Sequence, residues 1–281
     1  MVVRDDPPEP GTPRSGSGPT YEEYRHRSRT LAKNRAVIWV IVGVAFAWAM
    51  WGTGFGVLTL IQGLATSTKF IVTDLLPPEL DGAGEFVGPA LDTLYMSYIG
   101  MVMSVILSIP LGILAARNTT VHIVVAYISK ALVAFIRAVP ELVLAIFLVA
   151  VFGIGPLAGT IAMGVGGVGI LAKAYADGIA AIDMQQVEGI KAAGGTRLQT
   201  LVQGVWPQFK PSFVTWSLYR LDLNIREASV LGLVGAGGLG YSLQQAIALF
   251  QFRTATTIIL MIFVMVMLVE LVTGMLRRRA I

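Results

Sequence analysis

Nine charged side chains interrupt the long apolar stretches of this 281-residue chain. They are Lys130, Arg137, Glu141, Lys173, Arg220, Asp222, Arg226, Glu227 and Glu270. Arg137 and Glu141 stand four residues apart around Pro140, a spacing that allows an ion pair on one helix face. A second cluster runs from 220 to 227 and includes Asn224. Two interpretations stay open: pairs that only fix helix packing, or a polar path whose arginines meet an anionic solute.

Two glycine-rich runs match the dinucleotide pattern G-x-G-x-x-G, but neither lies between a strand and a helix as that chemistry requires. We expect the run 164–169 to let a helix pack closely or kink. The run 235–240 is expected to form a tight turn through Gly235, Gly237, Gly238 and Gly240. No lysine is followed by Ser or Thr, so the chain lacks a Walker A loop, and any ATP is bound by another chain.

The composition is typical of an integral membrane protein. Hydrophobic residues make up 55% and charged residues 14% of the chain, whereas soluble domains average about 25% charged. Mean hydropathy is +0.71. With no cysteine and two histidines, neither a metal site nor a catalytic residue is predicted. The net charge of +4 is interpreted as a consequence of the Lys and Arg residues that set membrane topology, and no nucleic acid is predicted as a partner.

The apolar runs predict an all-α fold with six transmembrane helices, each long enough to cross about 30 Å of hydrocarbon. The spans are about 36–56, 92–116, 126–152, 157–177, 212–234 and 254–275. Residues 1–35 are predicted to be a basic, partly disordered cytoplasmic tail and 36–281 the transmembrane domain. The segment 57–76 is expected to be interfacial or a surface helix.

The distribution of Lys and Arg predicts the orientation. Fourteen lie in segments that would be cytoplasmic if the N-terminus is inside, and two, Lys69 and Arg253, lie in the outer segments. Because positive residues are retained on the cytoplasmic side, both termini are predicted to be cytoplasmic. Lys173 and Asp177, at a span end, are expected to reach the interface.

The cytoplasmic segment 178–209 contains a spaced pattern. Glu188 lies six residues before Gly194, and Pro207 lies thirteen after it. This resembles the coupling motif of bacterial ABC importer permeases, with Gly189 and Ile190 where two alanines are usual. The resemblance implies two short helices around a glycine turn that dock on a separate ATPase subunit. The residues concerned are Glu188, Gly189, Ala192, Ala193, Gly194, Gly195 and Pro207.

Further runs, at 137–141, 153–159, 218–226 and 230–240, resemble permeases of phosphonate-type importers. The likeness extends over about 92–279. It implies a type I importer fold, with a five-helix, methionine-importer-like core and one N-terminal helix, in the bacterial cytoplasmic (inner) membrane. It also implies a homodimer, an ATPase dimer that binds ATP and Mg, an external substrate-binding protein, no cofactor in this chain, and a phosphonate or phosphate-like substrate. The path or gate candidates are Arg137, Pro140, Glu141, Arg220, Asp222, Asn224, Arg226 and Glu227.

Three alternatives remain. Methionine importer permeases share the coupling motif and the glycine turn. An ion-driven secondary transporter is expected to show inverted repeats, and spans two to four share no obvious motif with spans four to six. A membrane scaffold without transport gives no reason for the charges in the fifth span.

Overall fold

The computed structural model describes residues 21–280, with the side chains of 35–278 except those of 57, 58 and 65. All regular structure in this part is helical. The α-helices are α1 (Tyr21–Gly52), α2 (Val57–Phe70), α3 (Val87–Ala115), α4 (Ile123–Ala138), α5 (Glu141–Phe152), α6 (Pro156–Ala180), α7 (Met184–Ala192), α8 (Arg197–Gln199), α9 (Trp206–Gly232), α10 (Gly238–Ala248) and α11 (Phe252–Ala280). Ile71–Leu75 and Thr200–Val205 form π-helical turns, and Ala83–Phe86 forms a 3₁₀-helix.

The described residues divide into two compact units, 21–70 and 71–280. In the first unit, α1 begins at Tyr21 and runs into the predicted first span. The basic stretch 21–35 is therefore helical, because Glu, Arg, Leu, Ala and Lys are good helix formers, and the cytoplasmic, partly disordered tail up to residue 35 stays a prediction. The disorder predicted within residues 5–19 lies outside the described residues. The segment predicted to be interfacial contains α2.

Four of the described helices are long and apolar enough to cross a membrane: Arg35–Gly52, Ala83–Ala115, Pro156–Ala180 and Phe252–Arg278. α4 and α5 reach that length only together, and they are bent by 77°. α9, which holds the predicted fifth span, carries the charged cluster and does not qualify by composition. The all-helical class is confirmed, and the count of six spans stays a prediction.

The second unit is built around α6. α3 lies along α6, and α4, α5 and α9 pack on its other faces. Ala158, Ala162 and Leu171 of α6 are completely buried. Small residues on this helix let neighbouring backbones approach closely, which is how helices pack in membranes. α6 therefore sets the positions of the charged residues on the helices around it.

Pro140 separates α4 from α5. The residue before it, Val139, has an extended backbone (φ −87°, ψ 116°), because the proline ring excludes the helical region at that position. α4 ends at Ala138 as a result, and Glu141 becomes the first residue of α5. The segment 126–152, predicted as one span, is thus two helices.

The second glycine run forms the turn between α9 and α10 and the start of α10. Gly235, Gly237 and Gly238 have φ values of 92°, 84° and 68°, a region that L-residues with side chains avoid. Gly240 lies inside α10, where a Cβ would meet the backbone of Ser229. The predicted turn is present, and its last two glycines also open a helix.

Candidate functional site

A buried arginine joins three helices. Arg220 of α9 is fully buried, and its Nη2 donates to both carboxylate oxygens of Glu141, at 2.9 and 3.0 Å. The same nitrogen donates to the Met163 carbonyl of α6 at 3.1 Å and lies 3.2 Å from the Glu227 carboxylate. A charge away from water requires such partners. The arginine therefore fixes α5 and α6 against α9.

The ion pair that sequence spacing allowed between Arg137 and Glu141 is not present. The four-residue rule applies to one continuous helix, whereas Pro140 ends α4 between these two residues. Glu141 pairs with Arg220, 79 residues away. Arg137 is exposed and forms no ion pair with any residue whose side chain the structure describes.

The first glycine run, on α6, is where the charged side chains pass. A Cβ added to Gly166 would lie 2.6 Å from Oε1 of Glu141, and one added to Gly167 would lie 2.6 Å from Nε of Arg220. At Gly169 a Cβ would lie 2.6 Å from Cγ of Arg137. Each glycine thus makes room for a different charged side chain. The expected close packing of this run is confirmed, and the neighbours of its glycines include Glu141, Arg220 and Arg137.

The other polar residues of α9 bond to different helices. Asn224 is buried, and its Nδ2 donates to a carbonyl of α3 at 2.9 Å. Arg226 pairs with Glu270 of α11 at 3.2 Å. Thr273 Oγ1, also on α11, donates to Asp222 at 3.1 Å. The cluster at 220–227 is therefore divided among three sides of α9.

A cavity of about 550 Å³ opens beside the bend between α4 and α5. Its polar and aromatic lining comes from Arg137, Glu141, Lys173, Asp177 and Trp216. Lys173 Nζ and Asp177 Oδ2 form an ion pair at 3.0 Å. Spacing along the sequence does not connect Lys173 or Trp216 with Arg137, because these residues lie on α6, α9 and α4. A lysine inside a long apolar stretch was the available signal.

The predicted coupling segment folds as two short helices around a glycine turn. The Asp183 side chain accepts from the Gln185 amide at 2.9 Å and caps α7. α7 ends before Gly194, whose φ of 84° reverses the chain. Thr196 starts α8 with a capping box. Gln208 of α9 donates to the Gly204 carbonyl at 2.8 Å and accepts from the Asp183 amide at 2.9 Å, which ties α7 to α9.

One side of this segment is packed and the other is free. Val187 is buried against Gly204, and Gly195 packs on the Ile190 carbonyl. The residues on the free side are Glu188, Gly189, Ala192 and Ala193, and Pro207 is exposed in the first turn of α9. Leu198 and Val202, in the helical turns that follow Gly194, are 71% and 54% exposed. We call Glu188, Ala192, Leu198 and Val202 the α7 surface.

Comparisons with known proteins agree with this geometry. The model of the family "binding-protein-dependent transport system inner membrane component" matches residues 108–281. A phosphite transport system permease protein of Stutzerimonas stutzeri is 36% identical over 240 residues, 85% of this chain and 86% of that protein. A phosphate-import permease protein of Mycolicibacterium smegmatis is 40% identical over 212 residues, 75% of this chain and 40% of that protein.

A solved structure shows the same fold. A chain of an inward-facing methionine ABC transporter superposes with a TM-score of 0.63 at 21% identity, covering 70% of this chain and 96% of that chain. The expected methionine-importer-like core is confirmed as a fold, and the expected family is confirmed by sequence. This chain belongs to the family of binding-protein-dependent transport system inner membrane components.

Proposed function

We propose that this chain is the membrane permease of an ATP-driven importer of a small phosphorus oxyanion, that is, phosphonate, phosphate or phosphite. The observation that carries the proposal is the 36% identity to a phosphite transport permease over 85% of this chain. The chemistry of the cavity supports it, since arginine binds two oxygens of such an anion at once. Arg137 offers a guanidinium there without an acidic partner among the described residues.

The proposed assembly follows the family. Two copies of this chain would form a homodimer, bind a dimer of ATPase subunits, and receive solute from an external substrate-binding protein. ATP and Mg would be bound by the ATPase, and this chain would hold no cofactor. It would cross the bacterial cytoplasmic membrane with both termini inside, as the Lys and Arg distribution favours.

We assign the docking of the ATPase to the α7 surface. Exposed apolar side chains beside a charged residue are typical of the core and rim of a protein interface. Leu198 and Val202 fit the core and Glu188 the rim. The glycine turn at Gly194 would set the direction in which α7 is presented to the ATPase.

The proposed signal from ATPase to path runs through α9. Movement of α7 would reach α9 through Gln208, and α9 carries Arg220, which holds Glu141 at the start of α5. A shift of α9 would thus reposition α5 beside the cavity. In this proposal the path and gate residues are Arg137, Pro140, Glu141, Arg220, Asp222, Asn224, Arg226 and Glu227.

The function is tested by reconstitution with the ATPase and the binding protein in proteoliposomes. Uptake of phosphate, phosphite and methylphosphonate is measured with ATP, without ATP, and with the membrane potential dissipated. ATP-dependent uptake of at least one of them is expected. Uptake of methionine alone would contradict the substrate class. Uptake that survives without ATP but stops without the potential would indicate an ion-driven transporter.

The docking surface is tested separately by a matched pair of substitutions. Leu198→Asp places a charge on the α7 surface, and ATPase association on size exclusion is expected to fall at least tenfold. Leu249→Asp changes a leucine of similar exposure, 67%, just beyond α10, and association is expected to stay at the wild-type level. Equal association of both variants would contradict the assignment.

A further inference from the structure

Two cavities adjoin each other in the groove between α4 and α6. The first, of about 550 Å³, lies at the α4–α5 bend. The second, of about 350 Å³, lies nearer the start of α4 and is lined by Lys130, Val133 and Ala172 among others. Arg137, Lys173 and Asp177 line both. The two cavities therefore share one charged wall.

The charges of this groove do not balance. Three cations, Lys130, Arg137 and Lys173, line it. Of its two acids, Asp177 is paired with Lys173 and Glu141 with the buried Arg220. The side chains of Lys130 and Arg137 form no ion pair with any side chain that the structure describes. Two cations without an acidic partner in a mostly apolar groove favour an anion, because a cleft lined by charge of one sign concentrates ions of the opposite sign.

The spacing of the two free cations along α4 sets where they lie in the groove. They are seven residues apart on α4, so they lie on one face, about 10 Å apart along the axis. The stem of Arg137 packs on Gly169, where a Cβ would lie 3.0 Å from the arginine backbone nitrogen. A fixed stem with an exposed head directs the guanidinium into the groove. Such preorganisation lowers the entropy lost when a ligand binds.

Resting on the function proposed above, we propose that the groove between α4 and α6 is a binding site for a phosphate-type oxyanion, held by Arg137 and Lys130 with Lys173 on the facing wall. Arg137 would take two oxygens through its fork, and Lys130 would act as a point charge further along. Arg220, which is buried and already paired, would position α5 and not contact the anion. The anion is either the transported solute or a phospholipid headgroup, which present the same oxygens.

The test uses the complete complex in proteoliposomes with Arg137→Gln, Lys130→Gln and the double variant. Lys69→Gln, in the first unit, is the control. Because neither groove cation has an acidic partner, stability and ATPase association are expected to stay at wild-type values. Phosphate and phosphite uptake at saturating binding protein is expected to fall at least tenfold in the double variant. Arg137→Lys, which keeps the positive charge, is expected to retain more uptake than Arg137→Gln.

A second measurement separates solute from lipid. Native mass spectrometry counts phosphatidylglycerol retained by the complex in wild type and double variant. Lost uptake with unchanged lipid assigns the site to the solute, and lost lipid with unchanged uptake assigns it to a headgroup. If uptake and lipid are both unchanged, the site does not exist as proposed. If wild type transports no oxyanion, the proposed function fails, and the lipid measurement still tests the groove.

Discussion

Gly167→Ala is expected to break the link between α9 and α5 by adding one methyl group. The new Cβ would clash with Ser104 Oγ and would lie 2.6 Å from Arg220 Nε. Ser104 is fully buried on α3, and its hydroxyl donates to α6 at the Gly164 carbonyl, 2.9 Å away. Arg220 is held by Glu141. Both side chains are fully buried, so neither can turn out into solvent.

The magnitude follows from three contributions. Overpacking by one methyl group costs about 1–3 kcal/mol, and alanine gains about 1 kcal/mol over glycine inside a helix. Moving Arg220 Nη2 away from Glu141, Glu227 and the Met163 carbonyl leaves a buried charge without partners, which costs about 3–5 kcal/mol. The expected net loss is therefore at least about 3 kcal/mol. At roughly 2–4 °C per kcal/mol, Tm is expected to fall by about 6 °C or more.

Thermal unfolding of the purified protein in detergent or nanodiscs measures this change. Gly164→Ala is the matched control, one turn earlier on the same helix. There the nearest atoms all belong to Met103, with Cε at 3.1 Å and Cβ at 3.2 Å from the added Cβ, so a shift of a few tenths of an ångström in one adaptable side chain relieves the contact. Its Tm is expected to stay within about 3 °C of wild type. If both variants show the same Tm, Arg220 is not confined by Gly167 and the reasoning is refuted.

Two further pairs of substitutions test the glycine turn at Gly194 and the buried hydrogen bond between Thr93 and Leu239. Gly194→Ala puts a side chain at φ 84° and is expected to lower ATP-driven uptake several-fold with little change in Tm. Gly189→Ala, where a Cβ meets nothing within 4 Å, is expected to be neutral in the same uptake assay. Thr93 Oγ1 accepts a hydrogen bond from the buried Leu239 amide at 2.9 Å. Thr93→Val removes this acceptor and is expected to lower the free energy of unfolding by about 1–3 kcal/mol. Ser97→Ala removes a bond within its own helix and is expected to cost less.

The sequence predicted best where the determinants are local. The resemblance carried by Glu188 and Gly194 implied a short helix and a turn, and the structure shows α7 followed by Gly194 at positive φ. The apolar runs likewise predicted an all-helical protein, because hydropathy over some twenty residues reflects the solvent of a helix. These features depend on neighbours within about two turns of chain.

The sequence could not predict which charges pair. Arg137 and Glu141 satisfy a rule for one continuous helix, and the bend at Pro140 removes its premise. The actual partners are 79 residues apart for Glu141 and Arg220, and 44 apart for Arg226 and Glu270. Contacts at such separations follow from how helices pack, which hydropathy and spacing do not specify.

The glycines of α6 belong to both groups, since their pattern is local in sequence and the charged side chains that they admit come from other helices. Their pattern is visible in the sequence, yet a G-x-G-x-x-G run says only that backbone approach is close. The structure shows that Gly167 admits a cation with partners, Arg220, and Gly169 a cation without one, Arg137. A paired arginine has its field cancelled nearby and stabilises the fold, whereas an unpaired arginine retains its field for a ligand. Two glycines of one helix, separated by a single residue, therefore distinguish the residue that holds the bundle from the residue that we expect to meet the solute.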